Sequence, residues 1–484
     1  MESTNILPKP DLFTSTIYSI YLRNHTPQGT FSAAQQDLPR IKALGAEVIW
    51  LMPIHPIGEI HRKGGAGSPY AIKDYRGVNP EYGTLEDFRS FAAGCHQLGM
   101  KCIIDVVYNH TSPDSVLFQD HPNWFYQKPT GGPGNRVGDW TDIIDLDLTN
   151  QDLRGYLIDS LKFWLDQGAD GFRCDVAPLL PLDFWLEARE ACNRFRPDAI
   201  WLSESVEPRF LREMRRRSYQ CLSDGEIFQA FDLAYDYDSF DVWKEYMAGK
   251  ATFDQWLDVK RRQEHVLPNH GVKLRFCENH DQPRSRSWLP DPRSHRNWTA
   301  FTAFERGSFL VFGGQEHADP KLPNLFEKDP VNWGIEPEFE PYLRNLITLK
   351  KDPIHSSGFY TIHPTQAEGV IVASFINTAE DLQVTRLRLG IFTIEDKRGT
   401  LDLRRVLESL IPQDQLDQIR AAGGTGSSRV GTGGTEAGRD HATLGKLFSP
   451  FGQWSGTNLI DGREILIESG SLVIPQEPVV VDLV

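Results

Sequence analysis

The sequence predicts an α/β protein whose main body is a (β/α)8 TIM barrel, with an insertion (domain B) after the third strand and a C-terminal antiparallel β domain. Three observations carry that prediction. Eight short β-rich runs alternate with amphipathic helical segments between about residues 15 and 350, the pattern of a parallel sheet wound by crossover helices. After the third run, residues 111–150 form a stretch rich in Gly, Pro and aromatics, far beyond the ~12–15 residues of an ordinary connection. After about residue 353 the alternation gives way to short β-type runs such as GVIVASFIN, EILIES and VVVDLV, as in a small antiparallel domain. The expected parts are a barrel of residues 1–110 and 151–352, domain B at 111–150, and a β domain at 353–484 that contains a Gly-rich loop at 421–438.

In chain order the barrel strands are expected at IYSIYLR (17–23), AEVIWLM (46–52), KCIIDVVYNH (101–110), DGFRCDVA (170–177), AIWLSES (199–205), EIFQAFD (226–232), VKLRFCENHD (272–281) and SFLVFGG (308–314). Helix signals fill the gaps. Thr84-Leu85-Glu86-Asp87 resembles an N-terminal capping box, and Leu153, Leu157, Leu161 and Leu165 recur every fourth residue. The run AAGGTGSSRVGTGGTEAG at 421–438 reads as a flexible loop. It is not a phosphate-cradling loop, because Gly445-Lys446 is followed by Leu447 rather than Ser or Thr. No H-E-x-x-H, zinc-type Cys/His cluster or G-x-S-x-G elbow occurs in the sequence.

At 484 residues the chain is long enough for more than one core. Its 40% apolar and 24% charged content is ordinary for a globular enzyme. A net charge of −15 disfavours nucleic acid and anionic membrane as partners, since both would meet like-charge repulsion. The start MESTNILPKPDLF lacks a basic segment followed by an apolar one, and nowhere do about 18 apolar residues run together. A cytoplasmic protein is therefore expected. Cys95, Cys102, Cys174, Cys192, Cys221 and Cys277 show no C-x-x-C spacing and are expected as buried, reduced thiols.

A TIM barrel builds its site at the C-terminal strand ends, so polar residues there carry the most functional weight. The third predicted strand ends in Asn109-His110, the fourth in Arg173-x-Asp175, the fifth in Glu204 and the seventh in Asn279-His280-Asp281. Two carboxylates flanking one bond are what glycoside hydrolysis requires, one as nucleophile and one protonated as general acid. A third acid nearby raises the proton affinity of that general acid and stabilises a cationic centre. Arg173, two residues before Asp175 on a period-2 strand, faces the same side and favours the ionised form of that carboxylate. Singly, each of these residues is commonly structural. Four such strand ends in one eightfold pattern point to a catalytic mouth.

The stretches DVVYNH (105–110), GFRCDVA (171–177), the Ser-Glu-Ser around Glu204 and CENHD (277–281) resemble, in order, the four motif regions of the α-amylase superfamily, glycoside hydrolase family 13. LMPIHPIGE (51–59), GSPYAIKDYRGVNPEYGTLEDF (67–88) and IYSIYLRNHTPQGTF are similar to its α-amylase-type members as well. The resemblance implies Asp175 as nucleophile, Glu204 as general acid/base and Asp281 as transition-state stabiliser. It implies Arg173 beside the nucleophile, His110 and His280 on sugar hydroxyls, and Tyr70 stacked on the ring at the cleavage point. The implied activity is retaining hydrolysis of α-1,4 bonds in starch-type glucans or maltooligosaccharides, with no cofactor required. A 4-α-glucanotransferase and an α-1,6-acting, neopullulanase-like enzyme are alternatives on the same residues; a silent binding protein is disfavoured by the intact acid triad. Trp124, Tyr126 and Trp140 in the insertion either stack on further sugars or form the loop's own core.

Two departures from the family pattern stand out. Many members carry a Lys-His pair just after the nucleophile motif, where it contacts the leaving sugar and helps frame a calcium site. Here Ala177-Pro178 take that place. Asn109 matches a residue that often binds calcium, yet Asn at a strand end is equally a hydrogen-bonding residue; a calcium ion is allowed but not required, and no residue is assigned as a metal ligand. Val176 and the Ser-Glu-Ser-Val context of Glu204 leave α-1,4 against α-1,6 preference open. The first strand near residue 17 is expected to leave no room for the N-terminal β module of neopullulanase-like members. Oligomeric state is not set by any of these residues.

Overall fold

The computed structural model describes residues 9–138, 140–380, 384–410, 417 and 453–483. The Gly-rich loop predicted at 421–438 and the Gly445-Lys446-Leu447 segment lie outside them. By contacts the chain divides into two compact units.

The first unit comprises Met1–Lys244, Val266–Ser287 and Ser308–Pro341. Its strands are β1 (Thr16–Ile20), β2 (Val48–Leu51), β3 (Lys101–Val106), β4 (Gly171–Cys174), β5 (Ile200–Ser203), β6 (Leu233–Tyr235), β7 (Val272–Arg275) and β8 (Ser308–Phe312). They close into one parallel barrel, with β1 hydrogen-bonded to both β8 and β2. Every strand residue but Lys101 is buried, as expected where both faces of a parallel sheet are covered. The helix Leu85–Gln97 opens with the predicted Thr84/Asp87 capping box. The helix Gln151–Asp166 buries Leu153, Leu157, Leu161 and Leu165 along one face. All six cysteines are buried and unbridged.

The structure corrects several strand positions. β3 stops at Val106, β4 at Cys174, β5 at Ser203 and β7 at Arg275, so Asn109-His110, Asp175, Glu204 and Asn279-His280-Asp281 follow their strands rather than end them. The run EIFQAFD does not form β6. Ser223 and Glu226 make a reciprocal capping box that starts the short helix Asp224–Ile227, and the strand begins only at Leu233. Its apolar residues Ile227, Phe228, Ala230 and Phe231 are buried, but in a helical turn and the turn that follows it; local capping outweighs the β preference of its side chains. Likewise β1 stops at Ile20, and Leu22–His25 turns into one helical turn rather than extending the strand.

The insertion is tied to the barrel's third connection by a two-residue antiparallel ladder, His110–Thr111 against Ile144–Asp145. The second unit comprises Glu245–His265, Trp288–Gly307 and Tyr342–Val484. It holds an antiparallel sheet of β9 (Phe359–His363), β10 (Val370–Thr378), β11 (Val384–Thr393) and β16 (Val479–Asp482), in that order. A second sheet runs β12 (Thr400–Asp402), β15 (Ser471–Val473), β14 (Glu464–Glu468), β13 (Gln453–Thr457). Val372, Leu387, Leu389, Leu403, Trp454 and Ile467 belong to their common core. No helix among the described residues is long and apolar enough to cross a membrane.

Gly171, the first residue of β4, has φ +147°, and a Cβ there would lie 2.1 Å from the carbonyl oxygen of Ile200 on β5. Only glycine meets both constraints. Gly171→Ala is expected to lose about 3 kcal/mol of stability, read as the shift of the urea midpoint; an unchanged midpoint would show that the β4–β5 contact is not tight.

Candidate active site

The four predicted strand ends meet at one end of the barrel, around a guanidinium. Arg173 on β4 is fully buried. Its Nη1 donates to Asp105 Oδ1 at 3.0 Å and to Asp175 Oδ1 at 2.8 Å. Its Nη2 lies 2.9 Å from Glu204 Oε2, an ion pair whose angles fall short of a hydrogen bond. Nε donates to the Tyr235 hydroxyl at 3.3 Å, and the rings of Trp50, Tyr70 and Tyr235 surround the cation at 5.2–5.6 Å. Burial disfavours the charge on Arg173, but Asp105 and Glu204 outweigh it and hold the group protonated.

The acids differ sharply in their surroundings. Burial pushes the Asp105 carboxyl up to about 7, against the pull of Arg173 and with the push of Asp175. Burial also raises the Glu204 carboxyl well above the usual range; Asp175 and Asp281 push the same way, while Arg173 and the Val176 N–H oppose. Asp281 is 39% exposed at its side chain and lies 3.0 Å from His280 Nε2. Partial burial raises it, but His280 and Arg173 win and hold it below the usual carboxylate value. A buried acid that keeps its proton thus sits beside a more exposed one that does not.

The turn after β4 sets this arrangement. Val176 adopts φ 35°, ψ 42°, left-handed backbone that is costly for a β-branched residue. In that conformation its N–H donates to Glu204 Oε2 at 2.9 Å, so the residue next to Asp175 holds Glu204. Ser205, next to Glu204, donates to Asp224 Oδ1 at 2.8 Å, and Asp224 is paired with the buried Lys273.

The remaining predicted residues converge on the same mouth. Tyr70 stacks on His280 with ring centroids 5.6 Å apart and 16° between planes. Its hydroxyl contacts His280 Nε2 at 2.6 Å and donates to Asp105 Oδ2 at 3.2 Å. His110 Nε2 lies 4.0 Å from Asp175 Oδ2. Tyr70, His110, Asp175, Glu204 and Asp281 line a cleft of about 320 Å³, shared with Trp140 and Ile143 of the insertion and with Val206, Phe210 and Tyr237. Lys63 and Asp142 pair within this cleft at 2.8 Å.

Of the three insertion aromatics, only Trp140 lines the cleft. Trp124 is buried in the insertion's own packing, stacked on His121 at 3.9 Å, and Tyr126 lies under the guanidinium of Arg136 at 4.4 Å. Trp124 thus takes the second of the two expected roles, in the loop's own core. Sequence reasoning passed over Asp105, although it stands in the quoted DVVYNH stretch. A carboxylate inside an apolar strand run was the available signal, the same one that singled out Arg173.

A closed parallel barrel with a carboxylate cluster and sugar-sized cleft at its C-terminal mouth defines a carbohydrate-active enzyme of the TIM-barrel class. The chain belongs to the α-amylase family: the profile "Alpha amylase, catalytic domain" matches residues 10–141 and 137–328. Among curated relatives, an alpha-1,4-glucan:maltose-1-phosphate maltosyltransferase of Rhodospirillum rubrum is 35% identical over 197 residues, 37% of this chain and 28% of that protein. Maltosyltransferase 1 of Streptomyces coelicolor is 33% identical over 216 residues, 40% of this chain and 32% of that protein. The match thus spans about a third of the length of these relatives or less. Among solved structures, an alpha-amylase from Lactobacillus plantarum aligns with TM-score 0.83 and 36% identity over 98% of this chain and 100% of that one. A noncanonic maltogenic alpha-amylase from Thermotoga neapolitana gives 0.78 and 29% over 98% and 99%.

Arg173→Met keeps most of the side chain's bulk and leaves the carboxylates without their shared cation. A loss of about 3–5 kcal/mol is expected near pH 8. The deficit should shrink toward pH 5, because Asp105 and Glu204 have raised proton affinities and take up protons as pH falls. Urea unfolding at the two pH values checks this, and equal deficits at both would remove Arg173 from the electrostatic role.

Proposed function

We propose that the chain is a retaining glycoside hydrolase that cleaves α-1,4-glucosidic bonds of starch-type glucans or maltooligosaccharides. The observation that carries the reading is a single guanidinium in contact with both Asp175 and Glu204. Such bridging suits the ~5–5.5 Å carboxyl separation of retaining enzymes better than the ~6.5–9.5 Å of inverting ones. In this reading a carboxylate oxygen of Asp175 bonds to the anomeric carbon as the glycosidic C–O bond breaks and Glu204 passes its proton to the leaving oxygen. Glu204, now a carboxylate, takes a proton from water; that oxygen attacks the anomeric carbon and frees Asp175. Asp281 stabilises the cationic centre between these steps, with Tyr70, His110 and His280 holding the ring. The names of the structural neighbours, two α-amylases, support the hydrolytic reading.

A second reading, transfer to an acceptor sugar, is supported by two things. The curated relatives are named as maltosyltransferases, and the cleft wall beside Glu204 carries the apolar Val206 and Phe210. An apolar acceptor side disfavours water and favours a sugar face. The alternatives separate on products: maltooligosaccharides longer than the one supplied indicate transfer, whereas pullulan cleavage to panose or maltotriose reports the linkage preference.

Incubation with maltoheptaose and soluble starch is expected to release shorter α-glucans. Glu204→Gln should lower kcat by about 10²–10⁴-fold with the fold intact. Because the reaction needs Glu204 protonated and its proton affinity is raised, activity should fall as pH rises through that raised pKa, well above the ~4.3 of an ordinary Glu. No sugar release by wild type on any α-glucan would sink the reading.

A further inference from the structure

In the α-amylase superfamily the position that Asn109 matches, where the insertion meets the barrel, often binds calcium. The residues at that place do not fit such an ion. Arg136 of the insertion occupies it. Its backbone N–H donates to Asp145 Oδ2 at 2.8 Å, and its Nη1 donates to the same oxygen at 3.2 Å and to the Leu146 carbonyl at 3.3 Å. Asn109 turns its Nδ2, not its oxygen, toward Asp145 Oδ1 at 3.4 Å. Calcium needs six to eight oxygens at 2.3–2.6 Å. Here one carboxylate oxygen is already taken by a guanidinium, and the Asn amide presents donors. Among the described residues no group of three or more His, Cys, Asp or Glu side chains could hold a metal ion.

The cation is well built into its place. The Tyr126 ring lies under it at 4.4 Å, and Arg217 Nη2 fixes its backbone by donating to the Arg136 carbonyl at 2.8 Å. Asp145 is 1% exposed, so without a partner its charge would be costly.

We propose that the guanidinium of Arg136 is the built-in cation of this junction, and that through Asp145 and Asn109 it positions His110 with no metal bound. The path is short. Asp145 stands opposite His110 in the two-residue ladder, and Asn109 Nδ2 contacts both Asp145 and His110 Nδ1, the latter at 3.1 Å. An amide N–H on Nδ1 makes that nitrogen the acceptor and puts the ring proton on Nε2, the atom 4.0 Å from Asp175. Arg136 is thus a positioning residue for the site, and the proposal rests on the glycosidase reading only in naming what His110 would hold.

Three of the readouts do not depend on turnover. Titration of wild type with CaCl2 by calorimetry is expected to give no binding up to millimolar ion, and EDTA should leave its thermal midpoint unchanged. Histidine ¹⁵N spectra, with His110 assigned through His110→Gln, should show the Nε2–H tautomer in wild type. In Arg136→Met the tautomers should mix, while Arg136→Lys should recover most of the wild-type signal. On maltoheptaose, Arg136→Met should lose about tenfold in kcat/KM, partly restored by Lys. Stoichiometric calcium binding to wild type, or a midpoint lowered by EDTA and restored by calcium, would overturn the built-in cation. An Nε2–H signal unchanged in Arg136→Met would overturn the positioning. If wild type turns over no glucan, the glycosidase reading fails while the calcium and tautomer results still decide this proposal.

Discussion

The mouth of the barrel is organised around one positive charge shared by three carboxylates. Arg173 is withdrawn from solvent and reaches Asp105, Asp175 and Glu204 together. Burial raises the proton affinities of Asp105 and Glu204, the Asp175 charge adds to the rise, and Arg173 opposes it without cancelling it. The proton-bearing acids of the site are thus the ones burial favours, with the shared cation limiting how far they shift. The rings of Trp50, Tyr70 and Tyr235 close the cation off from water, which keeps its attraction strong.

Much of this architecture was legible in the sequence because the barrel is repetitive. Eight buried runs separated by helical stretches leave few other folds, and Arg173 and Asp175 stood out as charges inside an apolar run. The misplaced sixth strand marks where that logic stops. The apolar residues Ile227, Phe228, Ala230 and Phe231 are buried, as they would be in a strand, and what decides the conformation is one reciprocal cap, Ser223 with Glu226. Burial alone carries no period in a segment so short.

In the insertion the use of the aromatics was not legible. Its aromatics were equivalent in the sequence, yet packing separates them: Trp124 into the loop's interior, Tyr126 beneath Arg136, Trp140 into the cleft. Asp105 was passed over for a different reason. It is the penultimate residue of β3, but the predicted strand ran on to His110 and placed the end four residues later. A charge in an apolar run marked it, yet its partner Arg173, 68 positions along the chain, is written in no local pattern.

The turn at Val176 has a consequence for how such a chain can change. A β-branched residue held in left-handed backbone stores about 1–3 kcal/mol, sustained by the barrel around it. Substitutions that relax this turn would gain stability while loosening the N–H that reaches Glu204. Heat tolerance and a rigid mouth therefore pull in opposite directions at this residue. A lineage under selection for hotter conditions would have to find its added stability elsewhere, in loops and in the second unit, and leave this turn strained.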